Sequence, residues 1–265
     1  MSSTVVFIHG AWMTPLCWEP FIGFFRQAGY TCLAPAWPYH DRPVEELRRA
    51  PSPELAWLGA EGIVGHFERI IRALDEPPVL IGHSFGGLWV QILLDRGLGR
   101  AGVAIDSAPP RGVLPLQWTA LRSSAGVLLT AMPRSIVRLT LGQFRYAFAH
   151  NVADAAVRAA YERHVVPETR RIFFQAAVSL LDLVSPLRVD FGNSSRAPLL
   201  LVAGSDDHIV PAVQNRANYA KYRRSGARTD FKEFPRRTHW IIAQDGWEEV
   251  AGFAESWIRG QAEVA

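Results

Sequence analysis

The sequence predicts an α/β fold: a mostly parallel sheet of about six strands, flanked by helices, with a helical insertion in the second half of the chain. Three observations predict it. Short apolar runs end repeatedly at glycine, proline or aspartate. Amphipathic stretches with helical spacing follow them. The alternation is that of right-handed βαβ units, which build parallel sheets. The apolar runs are short and nearly continuous, as strands buried on both faces require.

The first run, Val5 to Ile8, stops at His9-Gly10. Leu16 to Ala28 has helical spacing and ends at Gly29, a residue suited to the left-handed position after a helix. Thr31 to Ala34 is a second strand closed by Pro35, and Pro38 to Pro53 reads as a loop rich in charge and proline. Leu55 to Leu74 reads as one helix. Leu58, Ile63, Phe67, Ile70, Ile71 and Leu74 share its apolar face, and Gly59, Gly62 and Gly65 weaken its first half. Pro78 to Ile81 is a strand entering Gly82, Gly86 to Leu98 a helix, and Ala101 to Ile105 a strand ending at Asp106. Leu199 to Ala203 and Thr229 to Phe234 supply the last two strands, and Gly246 to Arg259 the last helix.

From about Arg111 to Ser195 this rhythm breaks. The stretch is rich in Leu, Ala, Phe and Arg and reads as several helices between two strands. An insertion there would lie over the C-terminal edge of the sheet, where open α/β folds bind ligands. The expected organisation is therefore a core of residues 1–110 and 196–265 with a helical cap of residues 111–195.

The 265 residues suffice for one large domain, and 49% hydrophobic with 20% charged residues is a globular balance. No apolar run approaches the roughly 18 residues that a bilayer span needs. No positive segment precedes the first apolar run, so a signal peptide is not expected and the cytoplasm is the expected location. Cys17 and Cys32 form no metal-ligand pattern and read as free thiols. The net charge is +3, with basic residues gathered between Arg216 and Arg237. No nucleic-acid motif accompanies them, so they read as a solvated helix and loop. The expected partner is a small-molecule substrate, with no nucleic acid, membrane, metal or organic cofactor. A homodimer stays open.

The segment Gly82-His83-Ser84-Phe85-Gly86-Gly87 carries the chemistry. It matches G-x-S-x-G between a strand and a helix, the context that lifts a common pattern to a specific one. The serine must sit on a very tight turn, and side chains at the flanking glycines would strike neighbouring backbone. The helix that follows aims free N–H groups at a developing oxyanion. A serine needs a base. His239, in Arg237-Thr238-His239-Trp240 after the last strand, falls at the same sheet edge as Ser84. His83 would point away from the serine. The base needs an acid to fix its tautomer. Asp207, in Gly204-Ser205-Asp206-Asp207-His208-Ile209-Val210-Pro211, follows a strand; Asp206 and Asp106 are its rivals.

The motifs VFIHGAW, IGHSFGG, AGSDDHIVP and THW resemble the α/β-hydrolase superfamily from Val5 to about Trp257. Within it the chain is similar to the group of carboxylesterases, plant methyl esterases and hydroxynitrile lyases. The resemblance implies a catalytic triad of Ser84, Asp207 and His239. It places the acid on Asp207 because Gly204 and Pro211 complete the family's spacing. It also implies an oxyanion hole made by the backbone N–H groups of Ala11 and Phe85, following His9-Gly10. The family often has two further strands before the first one here, and this chain has no room for them. Trp12, Trp118, Phe144 and Phe148, with Phe173 and Phe174, are candidates to line an apolar pocket. Serine at the elbow argues against epoxide hydrolases and haloalkane dehalogenases, which use aspartate there. The expected activity is hydrolysis of a small, moderately hydrophobic carboxylic ester or lactone through an acyl-enzyme. Lyase or C–C bond chemistry with the same triad, and a non-catalytic receptor on this fold, are the alternatives.

Overall fold

The computed structural model describes residues 3–114, 118–120, 122–123, 134–179, 181–182 and 184–262. The main-sheet strands are β1 (Thr4–Ile8), β2 (Thr31–Leu33), β3 (Val79–His83), β4 (Ala101–Ile105), β7 (Leu199–Gly204) and β8 (Thr229–Phe234). Two further strands, β5 (Ile136–Val137) and β6 (Glu168–Thr169), form a separate antiparallel pair. The six main strands lie in the order β2-β1-β3-β4-β7-β8, and every pairing is parallel.

Burial follows position. Strands β3, β4 and β7 are buried along their whole length, as helix-covered central strands must be. The edge strands β2 and β8 are partly exposed, and β8 carries the charged residues Asp230, Lys232 and Glu233. The register sets Ile8 beside Gly82, His83 beside Ile105, Ile105 beside Val202 and Gly204 beside Phe234. The C-terminal ends of the central strands therefore finish at one edge.

Helix α1 (Glu19–Gln27) buries Phe21 and Phe25, one turn apart. Full burial of such a side chain contributes roughly 1.5–3 kcal/mol. The expected helix from Leu16 begins instead as a 3-10 turn, Pro15–Trp18. Pro20 explains the break, because it has no N–H to donate to the carbonyl of Leu16. The expected loop from Pro38 to Pro53 contains a short helix, α2 (Val44–Arg49). Its acids, Glu45 and Glu46, fall in the first turn and Arg48 and Arg49 in the last, which suits the helix dipole.

The expected single helix from Leu55 to Leu74 is also broken, into a 3-10 turn (Pro53–Trp57) and α3 (Ala60–Arg72). Gly59 is extended at the break, and a Cβ there would stand 2.9 Å from Nε of Arg171. Helix α4 (Phe85–Asp95) is buried almost throughout and packs along β3 and β4.

The inserted stretch holds α5 (Leu141–Phe148), α6 (Asp154–His164) and α7 (Arg171–Val178) as well as the β5-β6 pair. Part of it lies outside the described residues. After β7 come α8 (Ala212–Lys221) and α9 (Trp247–Ala262). In the basic stretch, Arg216 pairs with Glu233, Arg228 Nε meets Asp230 at 2.7 Å, and Arg237 meets Glu249 at 3.1 Å. These three cations face carboxylates. Among the described residues no helix is long and apolar enough to cross a membrane.

Candidate active site

Ser84 sits between β3 and α4 with φ 57° and ψ −122°, a conformation that costs a serine free energy. The surrounding chain enforces it. Ser84 N–H donates to Ile105 O at 2.9 Å, and Ser84 O accepts the N–H groups of Gly87 and Ala108. The tightness of the turn accounts for the two glycines of the motif. A Cβ on Gly82 would lie 2.1 Å from Gly86 O, and one on Gly86 would lie 2.0 Å from Ile8 O. No side chain fits either place.

His239 lies in the loop after β8. Its Nδ1 is 2.6 Å from Asp207 Oδ2, with both side chains fully buried. The other oxygen, Asp207 Oδ1, accepts the N–H groups of Ile209 at 2.7 Å and Val210 at 2.9 Å. The two carboxylate oxygens are thus fixed separately, one by its own loop and one by the imidazole. The histidine loop is anchored on both sides. Thr238 N–H and Oγ1 donate to Gln244 Oε1, and Trp240 N–H donates to Phe148 O at 2.9 Å. Phe148 sets its ring edge-on to His239 at 4.8 Å. His83 Nε2–H donates to His239 O at 2.8 Å, so the residue before Ser84 grips the backbone of the imidazole. His239 Nε2 is buried and has no hydrogen-bond partner among the described residues.

The two rival acids lie elsewhere in the network. Asp206 accepts from Ser205 Oγ at 2.7 Å and Asn151 Nδ2 at 3.2 Å, towards the surface. Asp106, fully buried with φ 43°, accepts Gly204 N–H at 2.7 Å. Its carboxyl touches that of Asp207. Burial, and then the neighbouring charge of Asp207, push Asp106 well above the usual carboxylate range.

The loop after β1 runs directly against the elbow. A Cβ on Gly10 would stand 2.8 Å from Ser84 Cβ, so only glycine permits that approach. Ala11 follows it, and Phe85 opens α4, where first-turn N–H groups lack intrahelical partners. His9 supports this loop as a neutral ring. Its Nδ1–H donates to Gly10 O at 2.9 Å, and its Nε2 accepts Trp37 N–H at 3.1 Å. Burial and the nearby His40 lower its pKa to about 3.

The aromatic candidates divide. Trp12 stacks on Phe173 at 4.5 Å and meets Phe148 edge-on at 6.3 Å; Phe173 meets Phe85 at 5.2 Å. These rings, with Phe148 on His239, form a largely buried aromatic cluster beside the elbow. Phe144 lies beneath Phe148 with no exposure and packs on Tyr161 and Trp240 as core. Trp118 is 74% exposed and Phe174 45% exposed. His83, Asp106 and His239 bring donor atoms within 4.8 Å of one another. Each of the two imidazoles is already engaged through one nitrogen, and Asp106 already accepts Gly204 N–H, so the cluster is built into the hydrogen-bond network of the two loops.

Two participants carry no sequence signal. Glu168 and His40 form a buried pair beside the Gly10 loop, Oε2 to Nε2 3.4 Å. Their partners are remote in the chain, so no local pattern marks them.

Comparison with known proteins agrees with this architecture. Among curated protein sequences none matches the chain. Among solved structures, the chain is similar to a monoacylglycerol lipase from Paleococcus ferrophilus, with TM-score 0.68 and 21% identity over 98% of this chain and 97% of the other. A methylesterase from Arabidopsis is similar at TM-score 0.69 and 12% identity, over 97% and 99% of the two chains. A pyrethroid hydrolase from Sphingobium faniae is similar at TM-score 0.67 and 15% identity, over 99% and 100%. At these identities the likeness is one of fold. The sequence itself matches the model of the alpha/beta hydrolase family from residue 5 to residue 253, and the chain belongs to that family.

Proposed function

We propose that the chain is a serine esterase that cleaves a small, moderately hydrophobic carboxylic ester or lactone through an acyl-enzyme. The observation that carries this reading is the 2.6 Å contact of His239 Nδ1 with Asp207 Oδ2, in a loop gripped by the residue before Ser84. With Nδ1–H donated to Asp207, the Nε2 lone pair is left to act as base. Ser84 Oγ attacks the carbonyl carbon while Nε2 takes its proton. The N–H groups of Ala11 and Phe85 hold the oxyanion, each such donor being worth about 10²–10³ in rate. The tetrahedral intermediate collapses, and the alcohol leaves with the proton from Nε2. Water then gives a proton to Nε2 and its oxygen to the acyl carbon. Ser84 recovers its proton and the acid departs.

Several features support ester substrates of modest apolar character. Trp12, Phe85, Phe148 and Phe173 surround the elbow with rings. The structures similar to this chain include a lipase, a methylesterase and a pyrethroid hydrolase. The test is direct. Wild type and Ser84→Ala are incubated with a fluorophosphonate probe and with short-chain p-nitrophenyl esters. Wild type is expected to be labelled and to turn over, and the variant to lose labelling and at least about 10⁴-fold in kcat/KM. Equal labelling of both proteins would remove Ser84 from the role of nucleophile.

A further inference from the structure

The loop that would carry one oxyanion donor is held from outside the sheet. Trp12 follows Ala11 and adopts φ 63°, a left-handed conformation that a bulky non-glycine residue enters only when its surroundings impose it. Both of its backbone polar groups are held by the inserted stretch. Trp12 N–H donates to Glu168 Oε2 at 3.3 Å, and Trp12 O accepts Val166 N–H at 2.9 Å. Glu168 is fully buried. Its other oxygen, Oε1, accepts Thr169 N–H at 2.7 Å, which fixes the carboxylate on its own strand. His40 Nε2 stands 3.4 Å from Oε2, and the His40 ring lies 5.8 Å from that of His9, which braces Gly10. Thr169 Oγ1 donates to Leu58 O at 3.0 Å, anchoring β6 to the core.

A buried carboxylate is costly unless it is paired and hydrogen-bonded, and Glu168 meets that demand through Trp12, Thr169 and His40. Here it spans two parts of the chain separated by 156 residues. We infer that Glu168 is a positioning residue: it clasps the strained Trp12 backbone and thereby sets the Ala11 N–H for the oxyanion. The inference rests on the esterase reading above. It also makes the insertion part of the catalytic apparatus, because the hole is complete only when β6 is docked on the loop after β1.

The role of Glu168 concerns reach, not charge alone. Glu168→Asp keeps a carboxylate but withdraws it by one methylene. Glu168→Ala removes it. Both are expected to lower kcat on p-nitrophenyl esters by about 10–100-fold, the scale of a misplacement of about an ångström, with KM within about threefold. Glu168→Gln can still accept one of the two N–H bonds and is expected to fall between wild type and Glu168→Ala. Hydrogen exchange of the backbone amides from residues 10 to 14 provides a reading independent of turnover. Exchange there is expected to accelerate in Glu168→Asp and Glu168→Ala, with the sheet amides unchanged.

Wild-type kcat with a raised KM, or unaltered exchange in the loop, would overturn the clasp. So would full activity in Glu168→Asp. Ser84→Ala run alongside separates the two ideas. Turnover that depends on Ser84 while the Glu168 variants behave as wild type retains the esterase and discards the clasp. If wild type is neither labelled nor active, the esterase reading falls, and the exchange data alone decide whether Glu168 holds the loop.

Discussion

The edge of the sheet and the inserted stretch above it are built on different physical terms. At the sheet edge, Ser84 and its glycines are fixed by sterics over five residues: a Cβ at Gly82 or Gly86 would lie within 2.1 Å of a carbonyl oxygen. In the insertion, position comes from single contacts between distant segments, such as Trp12 with Glu168 and Trp240 with Phe148. The first kind of order tolerates almost no change at a few positions. The second tolerates change at most positions and fails at a handful.

That contrast can be broken or sharpened by substitution. The largest effect is expected at the acid. Asp207→Asn should lower kcat by about 10⁴-fold, since an amide at Oδ2 favours the wrong imidazole tautomer. Asp206→Asn should change it by less than about tenfold, because Asp206 meets Ser205 and Asn151 instead. Steady-state kinetics on both variants decides the matter, and the opposite ranking would reassign the acid.

Next comes the elbow itself. Gly86→Ala should cost at least about 3 kcal/mol or prevent folding, because its Cβ meets backbone that cannot yield. Urea unfolding measures this. A fully stable Gly86→Ala would show that the turn can relax and that sterics do not fix it.

The third effect depends on pH. Asp106 has its protonation range raised in the folded state, by burial and by Asp207. A group with a raised folded pKa adds stability below its unfolded pKa, about 3.9 for aspartate. That stability is lost as pH rises towards the folded value. Asp106→Asn keeps an acceptor for Gly204 N–H but cannot ionise. Relative to wild type, it should therefore become progressively more stable as pH rises above about 4, measured by urea unfolding at each pH. Parallel stability curves for the two proteins would mean that Asp106 ionises normally.

The smallest effect belongs to the insertion's surface. Trp118→Ala, at a side chain 74% exposed, should alter stability by no more than about 0.5 kcal/mol and leave kcat unchanged. A large loss of activity would instead place Trp118 over the site when substrate is bound.

The same division governs how much could be read from the residues alone. The six strands were legible because each is a short apolar run stopped by glycine, proline or aspartate, and Ser84 because its glycines answer a local steric demand. Periodicity runs smoothly across the breaks before α1 and α3; Pro20 marks the first without altering that pattern, and Gly59 signals a weak first half for the second but not where the helix starts. The choice among Asp106, Asp206 and Asp207 needed a spacing learned from relatives, as adjacent loop carboxylates look alike until their partners are placed. Glu168 and His40 were out of reach. A glutamate in Pro167-Glu168-Thr169-Arg170 is locally indistinguishable from a surface residue, and its buried partner lies 156 residues away. Phe144 and Trp118 carry similar local signals yet end at opposite extremes of exposure.

One grip noted at the elbow bears on how this enzyme could be altered. Since the ring at position 83 secures the carbonyl of residue 239 through Nε2, the first variable letter of G-x-S-x-G is not free in this chain. A replacement there would leave the serine turn intact yet slacken the imidazole on the neighbouring loop. Grafting another hydrolase's elbow pentapeptide into this scaffold would thus remove one of the contacts that hold the His239 loop, unless the histidine at its second position came with it.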